Sequence, residues 1–338
     1  MTKNKRFYLS IAVLVLLTVS LLIVGLCRGP VSIPLDQVLR FATQRPLPDT
    51  QFLFILEEIR LPRVLTAFLA GGAISVSGLL MQTYFRNPLA GPFVLGISSG
   101  ASLGVALLIF VSSALPFLVQ LGYWGIVSAS FLGSTAVMLL TLVVAQRVVN
   151  SSSLLIIGLM FGSFTSAVVS LLQFASSPEL IQRYVFWTFG SLSGVNWPQI
   201  GLLAALVAVG MLAAFAIQKN LNLLLLGETY ARSMGLRVKR NRTILVFATC
   251  VLAGSVTAFC GPIAFLGLAV PHFSRVLMAD ADHKKLLPIT FLVGAVLLMI
   301  CDQLSYLPFA HVQVPINALT SLIGAPAVVA IIVKRRNL

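Results

Sequence analysis

Ten apolar runs, most of them about 20 residues long, constrain the fold of this 338-residue chain more than any other feature. An α-helix of that length crosses the hydrocarbon core of a bilayer. The composition agrees, since 58% of the residues are hydrophobic and only 9% are charged. We predict an all-α polytopic membrane protein, one transmembrane domain over residues 1–338, with spans at Tyr8–Cys27, Val64–Phe85, Phe93–Leu115, Tyr123–Ala145, Ser153–Ala175, Pro198–Gln218, Thr243–Cys260, Ile263–Met278, Leu286–Leu304 and Val314–Val333.

The first run, Tyr8–Cys27, follows basic residues and so resembles a secretory signal peptide. Its apolar core is longer than the about 7 to 15 residues usual in such signals. Leu26, directly before Cys27, is not the small residue that cleavage or lipidation needs. We therefore predict that this run is a retained first span.

The basic residues cluster between the apolar runs and predict the orientation of the chain. With both termini cytoplasmic, 17 of the 23 Lys and Arg residues lie on the cytoplasmic side, as the positive-inside rule requires. The net charge of +14 follows this pattern and not a continuous basic face, so we expect membrane lipids and no nucleic acid as partners. This orientation predicts a cytoplasmic loop at 219–242 and extracytoplasmic segments at 29–63 and 176–197, the latter with a short helix through Glu179, Arg183 and Trp187.

Residues 219–242 form the only long charged interruption between apolar runs. Within them Leu224–Leu236 is predicted to be one short helix, because Glu228 and Arg232 form a favourable i,i+4 pair and Gly235 stands where a glycine ends a helix. The segment is too polar to span a membrane, yet its leucines and Met234 exceed what a solvated loop needs. This pattern favours a docking surface for a partner or, alternatively, an amphipathic helix on the lipid headgroups.

The sequence lacks the common signatures of nucleotide hydrolysis and of hydrolases. No lysine follows a glycine, so there is no phosphate-binding Walker A sequence, and neither His-Glu-x-x-His nor Gly-x-Ser-x-Gly occurs. The histidines at 272, 283 and 311 stand apart, and the four cysteines show no paired spacing. We therefore predict no catalytic residue, no metal site and no cofactor on this chain.

Three charged residues near the outer ends of spans are candidate functional groups. Asp302 lies late in an apolar run, where an ionisable group is either functional or a carboxylate at the helix end. Arg60 and Arg63 are three residues apart and are expected to project from one face of a helix start at the outer surface. Such a pair suits carboxylates of a partner or an anionic ligand, and snorkelling at the interface is the alternative.

Small residues recur at the spacing of close helix packing, at Gly96, Gly100 and Gly104 and again at Gly158 and Gly162. A weak internal echo also exists. One Gly-Pro segment, residues 91–96, opens the third span from the inside, and another, residues 261–267, opens the eighth from the outside. Two inverted five-helix halves would produce this arrangement.

Many colinear motifs make the chain similar to one family of membrane proteins. They run in order from about Arg60 to Arg336: Arg60-Leu-Pro-Arg63, Gly78 with Gln82, Arg86-Asn-Pro-Leu-Ala-Gly-Pro92, Leu95-Gly-Ile-Ser-Ser-Gly-Ala101, Phe186-Trp-Thr-Phe-Gly-Ser191, Leu226-Gly-Glu, Ala231-Arg-Ser-Met-Gly235, Gly261-Pro-Ile-Ala-Phe-Leu-Gly267, Val270-Pro-His272 and Ile323-Gly-Ala-Pro326. Through these motifs the chain resembles the FecCD/BtuC family of permease subunits, which belong to type II ABC importers for iron-siderophore, haem and cobalamin.

The resemblance implies a BtuC-like, ten-span permease in the bacterial cytoplasmic (inner) membrane. Its implied partners are a second permease, either a copy of this chain in a homodimer or a similar permease, two ATPase subunits that bind ATP and Mg, and a periplasmic or lipid-anchored substrate-binding protein. The resemblance assigns ATPase coupling to Leu226, Gly227, Glu228, Ala231, Arg232 and Gly235. It assigns the cytoplasmic gate to Asn87, Leu89, Asn150, Ser151 and Ser152, and docking of the binding protein to Arg60 and Arg63.

Two departures from the family pattern bear on the docking assignment. Tyr306 stands where relatives often carry an arginine, and Gln313 replaces a usual glutamate. Three function classes then compete: an importer permease driven by separate ATPases, an ion-coupled transporter that acts alone with Asp302 as its proton site, and an intramembrane enzyme. The missing catalytic signatures disfavour the enzyme, and the apolar loop segment without an ATP site favours the importer.

Overall fold

The computed structural model describes residues 3–46, 50–112, 121–147, 151–306 and 313–336. Fifteen α-helices account for most of them, with a π-helical turn at Ile55–Arg60 and a 3-10 turn at Pro92–Leu95. The helices are α1 (Lys3–Cys27), α2 (Leu35–Ala42), α3 (Thr50–Phe54), α4 (Leu61–Phe85), α5 (Ile97–Val111), α6 (Gly122–Arg147), α7 (Ser151–Phe174), α8 (Pro178–Thr188), α9 (Trp197–Ala216), α10 (Gln218–Leu225), α11 (Glu228–Ser233), α12 (Val238–Cys260), α13 (Leu266–Met278), α14 (His283–Leu304) and α15 (Ile316–Arg336).

Seven of the described helical segments are long and apolar enough to cross a membrane. Three shorter apolar helices, in α5, α13 and α15, coincide with three further predicted spans. Each predicted span therefore contains one described helix, and an all-helical, multi-pass membrane protein is confirmed. Ten complete crossings stay a prediction, as does the division into two inverted halves.

Helix α4 is the central element, because α12, α13 and α14 all pack on it. Two of its glycines let backbones meet without intervening side chains. A Cβ atom at Gly78 would overlap the carbonyl oxygen of Gly267 in α13, and one at Gly71 would overlap that of Gly294 in α14. Close backbone approach of this kind replaces hydrophobic driving force as the source of helix association in a bilayer.

Helices α5 and α6 form a second close pair, as the glycine spacing predicts. Cβ atoms at Gly100 and Gly104 would overlap the carbonyl oxygens of Gly133 and Ala129. The predicted packing role of these two glycines is confirmed. At Gly162 the nearest atom to a Cβ would be the Ser99 hydroxyl at 3.4 Å, an ordinary contact that does not require glycine.

The two Gly-Pro segments of the internal echo lie against each other, the first without α-helix and the second without it up to Phe265, where α13 follows. A Cβ atom at Gly267 would be 2.6 Å from Cδ of Pro92, and one at Gly91 would be 3.2 Å from the Leu268 side chain. Gln82 links the same region, since its side-chain amide donates to the Leu268 carbonyl at 3.0 Å. These segments shorten α5 and α13 relative to a full span.

The segments predicted to be extracytoplasmic gather at one end of the bundle, here called the α8 end. The predicted short helix is confirmed as α8, Pro178–Thr188. Residues 50–85 are continuously helical through α3, the π-helical turn and α4, so the helix begins well before the predicted Val64. The indole N–H of Trp197 donates to the Glu57 carbonyl at 3.2 Å and joins the two segments.

Candidate functional site

The charged stretch 219–242 lies at the opposite end, here called the α10–α11 end, and contains α10, α11 and the beginning of α12. Gly227 has φ +109°, a conformation that side chains disfavour, and it separates α10 from α11. The prediction of one helix over Leu224–Leu236 is therefore wrong. The i,i+4 pair and the terminal glycine do mark a helix, α11, but this helix is only the second half of the predicted one.

Both predicted features of that second helix are present. The charged groups of Glu228 and Arg232 lie 3.6 Å apart, and Glu228 also forms an ion pair with Arg242 at 3.0 Å. Gly235 has φ +84°, its N–H donates to Arg232 O, and the next N–H, of Leu236, donates to Ala231 O. This is the Schellman arrangement in which a left-handed glycine satisfies the last helix carbonyls.

Three apolar side chains of this end point away from the described chain. Leu226 is 63% exposed, Tyr230 50% and Met234 60%. Ala231 lies on the other side of α11 and is fully buried. Its methyl group packs in the core and helps hold α11 on the bundle, and its role in ATPase coupling stays a prediction. Leu226 keeps its predicted position on the surface.

The loop after α4 lies beside this surface. Arg86 ends the helix with φ 47°, and Asn87 shapes the turn by accepting the backbone N–H of Leu89 on its side-chain oxygen at 2.9 Å. Leu89 is 46% exposed. A Cβ atom at Gly227 would lie 3.3 Å from Nη1 of Arg86, so the predicted gate loop and coupling segment are neighbours.

The second predicted gate loop is only partly described. Asn150 lies outside the described residues. The backbones of Ser151 and Ser152 form the first turn of α7. Their gating role stays a prediction.

Arg63, at the α8 end, lies in a polar cluster that joins α4 to α14. Its guanidinium donates to one oxygen of Asp302 at 2.6 and 2.7 Å, to Ser193 at 2.8 Å and to Ser305 at 3.1 Å. The Arg63 and Asp302 side chains are only 8% and 2% exposed. Asp302 is therefore the buried ion-pair partner of Arg63. This role is close to the predicted alternative of a carboxylate at the end of a helix.

The two departures from the family pattern meet at this arginine. The Tyr306 ring centroid is 4.4 Å from the Arg63 guanidinium carbon, which is cation–π distance. The side-chain oxygen of Gln313 also accepts from Arg63 once its amide is oriented to satisfy the hydrogen bonds. Arg63 lines a cavity of about 170 Å³ together with Asp302, Ser305 and Gln313.

Arg60 has a separate role. Its guanidinium donates to the carbonyl oxygens of Leu26 and Val31 and so fastens the end of α1. Arg60 and Arg63 are only 5% and 7% exposed. The prediction that the two arginines project together from an exposed rim is wrong, because burial gives each one internal acceptors.

Sequence reasoning missed a polar group at the α10–α11 end. His283 of α14 hydrogen-bonds to Asn222 of α10 and to Thr83 of α4. Asp282 accepts from Asn222 at 2.9 Å and from the Lys284 N–H at 3.0 Å. Burial disfavours the charged carboxylate of Asp282, yet these hydrogen bonds outweigh it and hold its pKa below the usual value. The one sequence feature that indicated this polar group was Asn222 within a run of leucines.

No three His, Cys, Asp or Glu side chains of the described residues lie close enough to share a metal ion. The fold and these two ends define a polytopic α-helical membrane protein whose surface at one end is suited to a soluble partner. The chain belongs to the FecCD transport family, which matches residues 15–334.

Similar proteins of known name align with nearly the whole chain. The vitamin B12 import system permease protein BtuC of Citrobacter koseri is 34% identical over 335 residues, 99% of this chain and 96% of the relative. BtuC of Salmonella typhi is 34% identical over 332 residues, with 98% and 96% coverage. A solved structure described as an inward-facing metal-chelate type ABC transporter matches with a TM-score of 0.83 and 30% identity, covering 95% of this chain and 97% of that chain.

A more distant structure, PsaBC from Streptococcus pneumoniae in complex with Fab, shares the fold with a TM-score of 0.54 and 16% identity, covering 79% and 88% of the two chains. From the family and the closer relatives, this chain is the permease subunit of an ABC importer.

Proposed function

We propose that this permease carries a bulky metal chelate, haem or corrinoid inward by alternating access, powered by ATP hydrolysis on separate subunits. The names of its relatives support this substrate class, since one group imports vitamin B12 and a solved relative is of metal-chelate type. On this proposal the chain is not an enzyme, and ATP and Mg bind to the ATPase partner.

The observation that carries the proposal is the apolar surface of Leu226, Tyr230 and Met234 at the α10–α11 end. Charged residues border it: Arg232 is exposed, and Glu228 beside it is held by two arginines. A soluble subunit that buried these three side chains would gain an apolar centre with a polar rim, which is the usual anatomy of a protein interface. Because the Arg86–Leu89 loop lies beside this surface, movement of that subunit would be transmitted to the loop.

The remaining assignments complete the importer. Two copies of this chain would enclose the pathway between them, with one ATPase subunit on each. The α10–α11 end and both termini would face the cytoplasm of a bacterium, across the inner membrane. A binding protein would dock at the α8 end, where its carboxylate could reach Arg63 through the cavity beside Gln313.

The competing hypothesis, an ion-coupled transporter with Asp302 as its proton site, is disfavoured by the Arg63 contact. A proton site must exchange its proton with water, but the Asp302 side chain is only 2% exposed and its oxygen is occupied by two hydrogen bonds from the Arg63 guanidinium.

The coupling surface can be tested with charge substitutions. Leu226→Glu and Met234→Glu should each place a carboxylate in a desolvated apolar interface and weaken ATPase binding at least about tenfold. The matched control is Ala281→Glu, which adds the same charge at an exposed position between α13 and α14. Co-purification of the ATPase and ATP-dependent uptake of cobalamin, haem or a ferric siderophore into proteoliposomes measure the effect.

Normal ATPase binding and uptake in both surface variants would refute this surface as the coupling site. Uptake by the permease without any ATPase, driven by a proton gradient, would refute the importer mechanism and favour the ion-coupled alternative.

A further inference from the structure

Asn222 of α10 is joined to both α4 and α14 through buried hydrogen bonds. Its side-chain oxygen lies 2.6 Å from Nδ1 of His283 and accepts the backbone N–H of the same residue at 3.0 Å. Nε2 of His283 lies 2.8 Å from the Thr83 hydroxyl, in the last turn of α4. Thr83 is fully buried and His283 is 1% exposed. These three side chains are called the α10 linkage below.

The hydrogen-bond directions at Asn222 are determined by its contact with Asp282. The Asn222 amide N–H donates to the Asp282 carboxylate, so its oxygen must face His283. Because that oxygen can only accept, Nδ1 of His283 carries the proton. In the neutral ring Nε2 is then an acceptor, and the single hydroxyl hydrogen of Thr83 is shared between Nε2 and the Leu79 carbonyl, 2.9 Å away. Every polar atom of the Asn222 side chain is thereby used, which fixes the register of α10 against both helices.

One other side chain of α10 makes an oriented contact, because the Asn220 amide donates to Asn241 of α12. The remaining contacts of α10 with α4 and α14 do not fix its register in the same way. Leu221 and Leu224 bury the apolar side of the helix in the core. Apolar contacts are non-directional and allow sliding, whereas a chain of oriented hydrogen bonds does not. Leu226 and α11 follow α10 directly, so the position of α10 sets that of the coupling surface.

We propose that Asn222, His283 and Thr83 are positioning residues that transmit movement of the coupling surface to α4 and α14. This inference rests on the proposed function, because it assumes that the ATPase moves α11. A firm connection is required for such transmission, since a loosely held α10 would move with the ATPase while the membrane helices stayed in place. Loss of the linkage should therefore separate ATP hydrolysis from transport.

A matched pair of threonine substitutions tests the linkage. Thr83→Val removes one hydroxyl that faces His283. Thr249→Val is the control, since Thr249 is equally buried and its hydroxyl, like that of Thr83, lies 2.9 Å from the carbonyl oxygen four residues earlier, but its hydrogen bond stays within α12. Both changes keep side-chain volume and shape. In the reconstituted importer, the number of substrates imported per ATP should fall about tenfold in Thr83→Val and remain unchanged in Thr249→Val.

Substitutions of the histidine test which contact matters. His283→Asn can replace the Nδ1 donor to Asn222, and His283→Gln can replace the Nε2 contact to Thr83, so each should retain part of the coupling. His283→Leu should retain none, while ATPase binding and hydrolysis persist. Equal coupling in Leu, Asn and Gln variants, or wild-type coupling in Thr83→Val, would overturn the inference.

Hydrogen exchange of the permease alone separates this inference from the proposed function. Backbone amides of 219–225 should exchange about tenfold faster in Thr83→Val than in Thr249→Val, because α10 opens more easily without the linkage. Identical exchange in the two variants would refute the linkage even if transport proceeds as proposed. Conversely, absence of ATP-driven uptake by the wild-type complex would refute the proposed function and, with it, the coupling role.

Discussion

Arg63 shows how burial determines the role of a single charged residue. Its guanidinium contacts a carboxylate, two serine hydroxyls and an aromatic ring, and the Arg63 and Asp302 side chains are almost entirely shielded from solvent. In this environment each charge requires the other, because an unpaired ion would lose its hydration without compensation. The pair therefore ties the start of α4 to the end of α14.

At the residue scale we predict that Asp302→Asn destabilises the purified permease by about 3 to 5 kcal/mol, since it leaves the Arg63 charge buried and unpaired. The double variant Arg63→Met with Asp302→Leu should recover most of this loss, because no charge remains to be compensated. The transition midpoints of chemical unfolding in nanodiscs report the changes.

The control is Arg232→Met, which breaks an ion pair whose arginine side chain is 62% exposed and should cost less than about 1 kcal/mol. Equal losses in Asp302→Asn and Arg232→Met would contradict the role of burial.

At the scale of elements, glycines decide which helices touch. Helix α4 meets α13 at Gly78 and α14 at Gly71, in both cases backbone to backbone. Helix α9 also contains a glycine, Gly201, but nothing lies within 4 Å of the position of its Cβ. The same residue type therefore has a packing role at Gly78 and Gly71 and none at Gly201.

We predict that Gly78→Ala separates α4 from α13 and destabilises the permease by about 1 to 3 kcal/mol, the usual cost of overpacking. Gly201→Ala, the matched control, should be neutral or stabilising by about 0.5 to 1 kcal/mol because alanine favours the helix. Thermal unfolding in detergent compares the two. A stable Gly78→Ala variant would mean that the observed close approach is not needed.

At the scale of the whole molecule, the distribution of charge predicts how the chain lies in the membrane. Most basic residues lie at the α10–α11 end and in the loops that share its side. Arg40, Arg45 and Arg183 are among the few at the other end. This asymmetry predicts a cytoplasmic α10–α11 end.

Reporter fusions test that topology. Reporters placed after Lys219 and after Arg336 should be cytoplasmic, and one inserted near Pro178 should be extracytoplasmic. Labelling of the 178 and 336 positions from the same side would contradict the ten-span arrangement.

Sequence pattern alone was enough to predict the positions of helices and the family of the chain, because both depend on local features. Apolar runs specified where the helices lie, Glu228, Arg232 and Gly235 marked α11, and colinear motifs indicated the family that the comparison then confirmed. These signals are readable because hydrophobicity, i,i+4 pairing and glycine conformation act within one turn or one span of the chain.

The exposure of side chains and the contacts between distant residues became known only from the packing of the helices. Arg60 and Arg63 are buried, although their spacing suggested a surface role, and Thr83, Asn222 and His283 come together from distant parts of the chain. Burial and such contacts depend on how helices pack, through backbone approaches such as that of Gly78 to Gly267. No single stretch of sequence contains that information, because each contact is shared between two helices whose relative position is set by all the others.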